Sequence, residues 1–365
     1  MTSTTASSGA ALRTATTTTA TKTHAATAQA VRAGRAPRPR LGRPRLLIVG
    51  CGDIGLRIVA RLRGRFRIYA TVTSADGAAA LRGAGALPLL LDLDRAGSGA
   101  RIGGLSARVV ALFPTSPGGP RDLRAPRLLR VLGARPPRAP GPGDGHAPRG
   151  RLVYISTTGV YGDRQGAWTD ETTPPHPSNE RARRRLDAER RLRASAWRAT
   201  VLRVPGIYGP QRLPLERLRL ALPVPEADRD VFTNHIHADD LARACIAALF
   251  RGAPARVYNT IDDTQLLLGQ YLDRVADRVG LPRPPRASWD AVRAAAGPQR
   301  MSFLSESRRI RNTRMKRELR LRLHYPDVDA GLAAPGMPGA QARDIGPAAC
   351  APAPSQAANK PSTDR

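Results

Sequence analysis

The chain has 365 residues and a formal charge of +30, long enough for one large domain or two smaller ones with a substantial core. Of its 59 basic residues all but Lys22, Lys316 and Lys360 are arginines, spread along a chain rich in Ala, Gly and Pro, and aromatics make up only 4%. This pattern fits a GC-rich coding bias and lacks the aromatic interleaving of a base-stacking surface, so a nucleic-acid-binding function ranks last.

Residues 1–43 are mostly Thr, Ala, Ser, Arg and Gly, with no acidic residue and no hydrophobic periodicity. They read as a disordered extension ahead of a similarity to an organelle transit peptide. Leu46-Leu47-Ile48-Val49 predicts a buried strand that runs into Gly50-Cys51-Gly52-Asp53-Ile54-Gly55. Ile54, Ile58, Val59 and Leu62 then recur at helical spacing. A G-x-G-x-x-G turn between strand and helix suits a dinucleotide. Gly50 permits the tight turn, Gly52 lets the backbone approach a pyrophosphate, and Gly55 lets helix and strand pack closely. The helix N-terminus then offers N–H groups and a positive dipole end to the phosphates.

Residues 66–72 predict a second strand, 74–82 a helix, and 86–91 a third strand ending in Asp92-Leu93-Asp94. A short helical stretch precedes a fourth strand at 108–113. This order predicts a parallel, doubly wound α/β sheet. About 20 positions past the glycines, where NAD-specific sites carry an acid, stands Thr71-Val72-Thr73-Ser74. Hydroxyls such as that of Thr73, with arginines nearby, suit a 2′-phosphate, so NADP is preferred over NAD. Residues 114–150 read as a surface excursion with a short helical piece at 128–132. A fifth strand at 151–156 leads into Thr157-Thr158-Gly159-Val160-Tyr161-Gly162, a charged helix at 179–194 and a strand at 199–204.

His235-x-His237-x-Asp239 has the spacing of a metal site, but it runs into a helix that Asp239 is placed to start, and no metal is expected. That helix continues through Phe250. A strand at 256–261 and an amphipathic helix at 266–279, stopped by Gly280-Leu281-Pro282, follow. Residues 286–325 read as a substrate lobe with a Met301-Ser302-Phe303 stretch and a helix at 308–323. Residues 331–365 read as a disordered tail. Cys51, Cys245 and Cys350 are too far apart to form a disulfide framework or metal spacing, which favours a reducing compartment. No stretch approaches the roughly 18–20 apolar residues of a membrane span. A cytoplasmic location with no membrane partner is therefore expected.

In this order the motifs resemble the extended short-chain dehydrogenase/reductases, the NAD-dependent epimerase/dehydratase family, over about residues 45–330. The likeness rests on the glycine turn, Asp92, Ser156-Thr157-Thr158 with Val160-Tyr161-Gly162, and Leu202-Arg203-Val204-Pro205-Gly206-Ile207-Tyr208-Gly209-Pro210. It continues through His235 to Ala242 and Asn312 to Leu319. It is closest to the small atypical branch. The resemblance implies an NAD(P)-binding Rossmann core, about 44–205 and 231–261, with the remainder of 44–330 forming a small C-terminal substrate lobe. Family members place Tyr and Lys four apart on the helix after the fifth strand. Counted back from Glu189, those positions hold Arg181 and Arg185.

Arg185 can keep the ribose-binding role of a lysine, but Arg181 cannot be an acid/base because a guanidinium does not give up its proton. The two arginines could instead bind a phosphate or carboxylate. The expected catalytic residues are Thr157 (with Thr158 as neighbour), Tyr161 and Arg185, with His176, Glu180 and His237 as other acid/base candidates. The expected cofactor contacts are Gly50, Gly52, Asp53, Ile54, Gly55, Thr73, Asp92 and Arg185. No G-x-x-x-x-G-K-[ST] loop or G-x-S-x-G elbow is present in the sequence. The first reading is an oxidoreductase or epimerase acting on a small polar, sugar-nucleotide-like substrate. The second is a non-catalytic NAD(P)-binding protein.

Overall fold

The computed structural model describes residues 42–95, 97, 102–133, 150–295 and 306–339. The expectations for residues 1–41, for residues 134–149 of the 114–150 excursion, for Met301-Ser302-Phe303 and for residues 340–365 lie outside these. Seven strands form the central sheet: β1 (Arg45–Val49), β2 (Arg67–Val72), β3 (Leu87–Leu90), β4 (Arg108–Ala111), β5 (Arg151–Thr157), β7 (Arg198–Val204) and β12 (Val257–Asn259). Their order is β12-β7-β5-β4-β1-β2-β3 and every pairing is parallel. The strand order reverses about β1, which puts the crevice of a doubly wound sheet at the end of the first strand.

Successive strand residues face opposite sides of a sheet, and β1 buries both. Leu46 and Ile48 pack on one side with Ile58 and Val59 of α1 (Asp53–Leu62) and with Leu241 and Cys245 of α6 (Ala238–Arg251). Leu47 and Val49 pack on the other with Leu128 of α3 (Arg124–Gly133) and with Ala188 and Leu192 of α4 (Glu180–Arg193). The apolar run Leu46–Val49 of β1 thus follows from helix layers on both faces. Arg57 and Arg61 of α1 both reach Oδ1 of Asp239, each at 2.9 Å, and tie α1 to α6. The residue that caps α6 is His237, whose Nδ1 accepts from Asp239 N at 3.2 Å, and not Asp239 as the sequence suggested. Asp239 uses its carboxylate on the two arginines instead.

A smaller lobe has its own core. Tyr208 of β8 (Gly206–Tyr208) packs with Tyr271, Leu272, Val275 and Ala276 of α7 (Leu268–Val279) and with Val328 and Leu332. β8 pairs in parallel with β11 (His235–His237). The other short pairings join β6 (Trp168–Thr169) to β15 (Arg309–Ile310), β9 (Val224–Pro225) to β14 (Arg286–Ala287), and β10 (Phe232–Thr233) to β13 (Leu266–Leu267).

Two expectations are corrected here. No continuous helix runs through 308–323. Arg309 and Ile310 pair with Trp168 and Thr169, and only Thr313–Glu318 is helical. Asn312 stops any earlier start: its Nδ2 donates to the carbonyls of Ile261 (3.0 Å) and Asp262 (3.2 Å) and to Oδ1 of Asp263 (2.8 Å). Met315, Leu319 and Leu321 then pack into the sheet's α1–α6 layer and not into the lobe. Nor does ordered chain end at Ala330. A helix spans Val328–Leu332, and Ala334 and Met337 are buried in the lobe core.

Candidate functional site

A cleft of 540 Å³ lies beyond the carboxyl ends of β1, β2, β3 and β4, with the glycine turn on its wall. Three different constraints meet in that turn. Gly50 has φ +79°, and a Cβ there would come within 2.9 Å of Phe113 N, so the position excludes side chains on both counts. Thr71 clamps the turn: its Oγ1 accepts from Gly50 N and its carbonyl from Cys51 N, both at 2.9 Å. Gly55 is close-packed, because a Cβ there would sit 2.4 Å from Cys51 Sγ. Gly52 differs: nothing lies within 4 Å of where its Cβ would be. Packing gives no reason for its missing side chain, and the space beyond it opens into the cleft that it lines. α1 begins at Gly52 with no side-chain cap, so its first-turn N–H groups and dipole are available at the cleft. Burial pushes the Cys51 thiol up to about 12, so this wall is uncharged.

The opposite wall is formed by Thr73 and Ser74 after β2 and by Asp92 after β3. Ser74 Oγ accepts from Gly77 N at 3.2 Å and caps the next helix. Asp92 Oδ1 accepts from Asp94 N at 2.8 Å. Arg124 closes the far end, held by Asp94 (Nε to Oδ1, 2.9 Å) and by the Pro114 carbonyl (3.0 Å). Arg124 in turn holds the Asp94 carboxyl below the usual range. Of the expected cofactor contacts, Gly50, Gly52, Thr73 and Asp92 line this cleft.

Four other expected cofactor contacts do not line it. Asp53 is turned to an ion-pair network, 2.8 Å from Arg57 Nε and 2.7 Å from Arg212 Nε. Ile54 is core, and Gly55 is packed against Cys51. Arg185 Nη1 is committed to the carbonyls of Phe113 (3.1 Å) and Ile155 (2.9 Å) and to the Tyr154 hydroxyl (2.9 Å), which ties α4 to the ends of β4 and β5.

A second cavity, of 210 Å³, lies beyond the carboxyl ends of β5 and β7. Thr157 and Thr158 line its sheet side, and Asn179 and Arg181 come from the start of α4. Thr233 comes from the lobe, and Glu306 and Arg308 complete it. Thr157 Oγ1 accepts from Gly159 N at 3.1 Å, which leaves its O–H free to donate to an oxygen in the cavity. Glu306 accepts from Ser178 Oγ and Asn179 Nδ2, and Arg308 Nη1 donates to it at 2.7 Å. Burial and the cations of Arg185 and Arg184 push the Arg181 guanidinium down from its ordinary value, and Glu306 pulls it back. Glu306 and Arg308 were missed in the sequence. The acid is isolated, and Arg308 reads as a helix residue until the pairing of the next two residues, Arg309 and Ile310, with Trp168 and Thr169 is seen.

Tyr161 is corrected as an acid/base candidate. It follows the strand end in a short 3₁₀ turn, Thr158–Tyr161, that rolls it under the sheet edge. There it is fully buried among Val160, Leu186, Ile261 and Ile310, and its hydroxyl donates to Asn259 Oδ1 at 2.8 Å. Burial also pushes its phenol above the ordinary value. His176 and Glu180 are exposed, and Glu180 pairs with Arg184 at 3.2 Å. His237 caps α6.

A family model described as the NAD dependent epimerase/dehydratase family matches residues 144–260. The chain is similar to Protein YeeZ of Escherichia coli strain K12, with 27% identity over 300 residues covering 78% of this chain and 97% of that one. A conserved protein of unknown function from Silicibacter pomeroyi DSS is 33% identical, with a TM-score of 0.67, covering 79% of this chain and 96% of that one. The human epimerase family protein SDR39U1, solved with NADPH, shares the fold at 19% identity and a TM-score of 0.58, covering 79% and 97%. The glycine turn at the switch point of a seven-stranded parallel sheet, the family model and these likenesses agree: the chain belongs to the NAD-dependent epimerase/dehydratase family.

Proposed function

We propose that the protein binds NAD(P) in the 540 Å³ cleft and acts as an epimerase/dehydratase-like oxidoreductase on a small polar substrate held in the neighbouring cavity. The observation that carries this reading is Gly52. It has an uncapped helix N-terminus behind it and empty space where its side chain would be, which leaves room for a pyrophosphate against backbone N–H groups. NADP is preferred, because the end of β2 presents Thr73 and Ser74 and no carboxylate to repel a 2′-phosphate. The family member solved with NADPH is consistent with that preference, and another solved with NAD marks the alternative. Thr157 orients the substrate oxygen, and Arg185 acts on the site indirectly through the carbonyls that it fixes at the ends of β4 and β5.

The second reading is a non-catalytic NAD(P)-binding protein. It is favoured by the arginines at the two positions where the family resemblance calls for Tyr and Lys, and by the burial of Tyr161. The test is a calorimetric titration with NADPH and NADH, followed by hydride exchange over a panel of carbonyl compounds. Binding with tighter NADPH and any hydride exchange supports the first reading. Binding without exchange moves the assignment to the second. No binding of either cofactor removes both.

A further inference from the structure

The cavity beside Thr157 is small. Its 210 Å³ falls below the roughly 300–1,000 Å³ of pockets that hold drug-sized ligands. Its charge is also unusual for a sugar site, with two guanidiniums, Arg181 and Arg308, against one carboxylate, Glu306. That carboxylate accepts from Ser178, Asn179 and Arg308 and also acts on the Arg181 guanidinium, so the lining keeps one positive charge more than negative. Arg308 Nη1 divides between Glu306 and the Gly162 carbonyl (2.8 Å), while its Nε is buried with no acceptor. Arg181 stands on the first turn of α4, so the helix dipole adds to its field. Across the cavity Thr157 keeps a hydroxyl hydrogen to donate.

We propose that this cavity takes a compact oxyanion, a small carboxylate or phosphate monoester, recognised by Arg181 and Arg308 at its charged end and by Thr157 at a carbonyl or hydroxyl oxygen. The 210 Å³ would hold such an anion whole, and of a nucleotide sugar only one end. The inference rests on the reading of this cavity as the substrate site, and it does not need the cofactor to be bound. Arg181 thereby has a purpose that its position predicts: a group that cannot exchange a proton still binds a fixed negative charge.

The test uses the full chain and calorimetry with pyruvate, glycerol 3-phosphate, UDP-glucose and uncharged glycerol, each with and without NADPH. Pyruvate or glycerol 3-phosphate should bind, more weakly at higher salt, and Arg181→Gln should weaken that binding by about tenfold or more. Which of the two binds tells carboxylate from phosphate. Arg308→Lys preserves a cation for Glu306 and should weaken binding with little change in melting temperature. Binding of UDP-glucose with no binding of either oxyanion overturns the inference, as does oxyanion binding that Arg181→Gln leaves unchanged. If NADPH binds and neither oxyanion does, this inference falls while the cofactor reading stands. If an oxyanion binds in an Arg181-dependent way without NADPH binding, the reverse holds.

Discussion

The Tyr161 hydroxyl donates to Oδ1 of Asn259 at 2.8 Å, joining the turn after the fifth strand of the sheet to the strand at its edge. Asn259 Nδ2 in turn donates to the Arg311 carbonyl at 3.2 Å, and the Arg203 guanidinium lies 4.7 Å from the Tyr161 ring centre. The phenol is thus a structural strut. Tyr161→Phe should leave any turnover and NADPH affinity within about twofold of wild type. It should cost about 1–3 kcal/mol of stability in urea unfolding, because the buried Asn259 oxygen loses its donor. A large loss of turnover at unchanged stability would return Tyr161 to the chemistry.

Beside it, Glu189 and Arg203 form a buried ion pair, with Nη2 to Oε2 at 2.8 Å, and Ser156 Oγ donates to the same carboxylate. The glutamate is fully buried, so removing it leaves an unpaired guanidinium in the core. Glu189→Ala should cost about 3–5 kcal/mol, read from the urea midpoint at constant slope. A cost below about 1 kcal/mol would mean that water reaches Arg203.

The glycines separate packing from ligand space. Gly55→Ala and Gly50→Ala should each destabilise the fold by about 1–3 kcal/mol, the first by crowding Cys51 and the second by crowding Phe113 at a positive φ. Gly52→Ala should melt with the wild type. Equal melting temperatures for all three variants would contradict this division of roles.

The lobe core carries two buried groups with opposite pH signatures. His235 stacks on Tyr271 at 3.9 Å between ring centres, and burial pushes it down to about 3. Its stabilising contribution is complete above its ordinary 6.5 and is lost as pH falls toward 3. Asp262 lies near Tyr208, Tyr271, Asp263 and Asp327, and burial pushes it up to about 8. The folded chain holds a proton on Asp262 that the unfolded chain releases above 3.8, so its contribution is present below 3.8 and is lost as pH rises through 8. The two slopes oppose each other from 3.8 to 6.5, and above that only Asp262 acts. Stability should fall by up to about 2 kcal/mol from pH 6.5 to 8, and Asp262→Asn should flatten that slope. A variant that keeps the wild-type slope would assign it elsewhere.

What was legible in the sequence is what local pattern determines. The apolar run at Leu46–Val49, the glycine turn and the amphipathic α1 fix the first β-α unit, and the alternation of short strands and helices fixes the parallel sheet. What was not legible depends on distant partners. Tyr161 is buried because Asn259 waits 98 residues away. Arg309 and Ile310 leave a helical-looking stretch because Trp168 and Thr169 offer strand partners. Asp53, inside the motif, is drawn off by Arg212, 159 residues on. Met337 belongs to the lobe core although the residues around it look like a tail. The second cavity is a property of six segments brought together, around Thr157, Arg181, Pro205, Thr233, Leu268 and Arg308, and of none alone.

The central claim is that the glycine turn holds a dinucleotide, and Gly52 tests it most directly. NADPH should be titrated calorimetrically into the wild-type chain, into Gly52→Val, and into Gly64→Val as a control in equally open space. The account predicts saturable binding to the wild type and to Gly64→Val. Binding should be weakened by more than about tenfold (about 1.4 kcal/mol) in Gly52→Val at an unchanged melting temperature. Equal binding by Gly52→Val and wild type, or no binding of NADPH or NADH by the wild type, would contradict it.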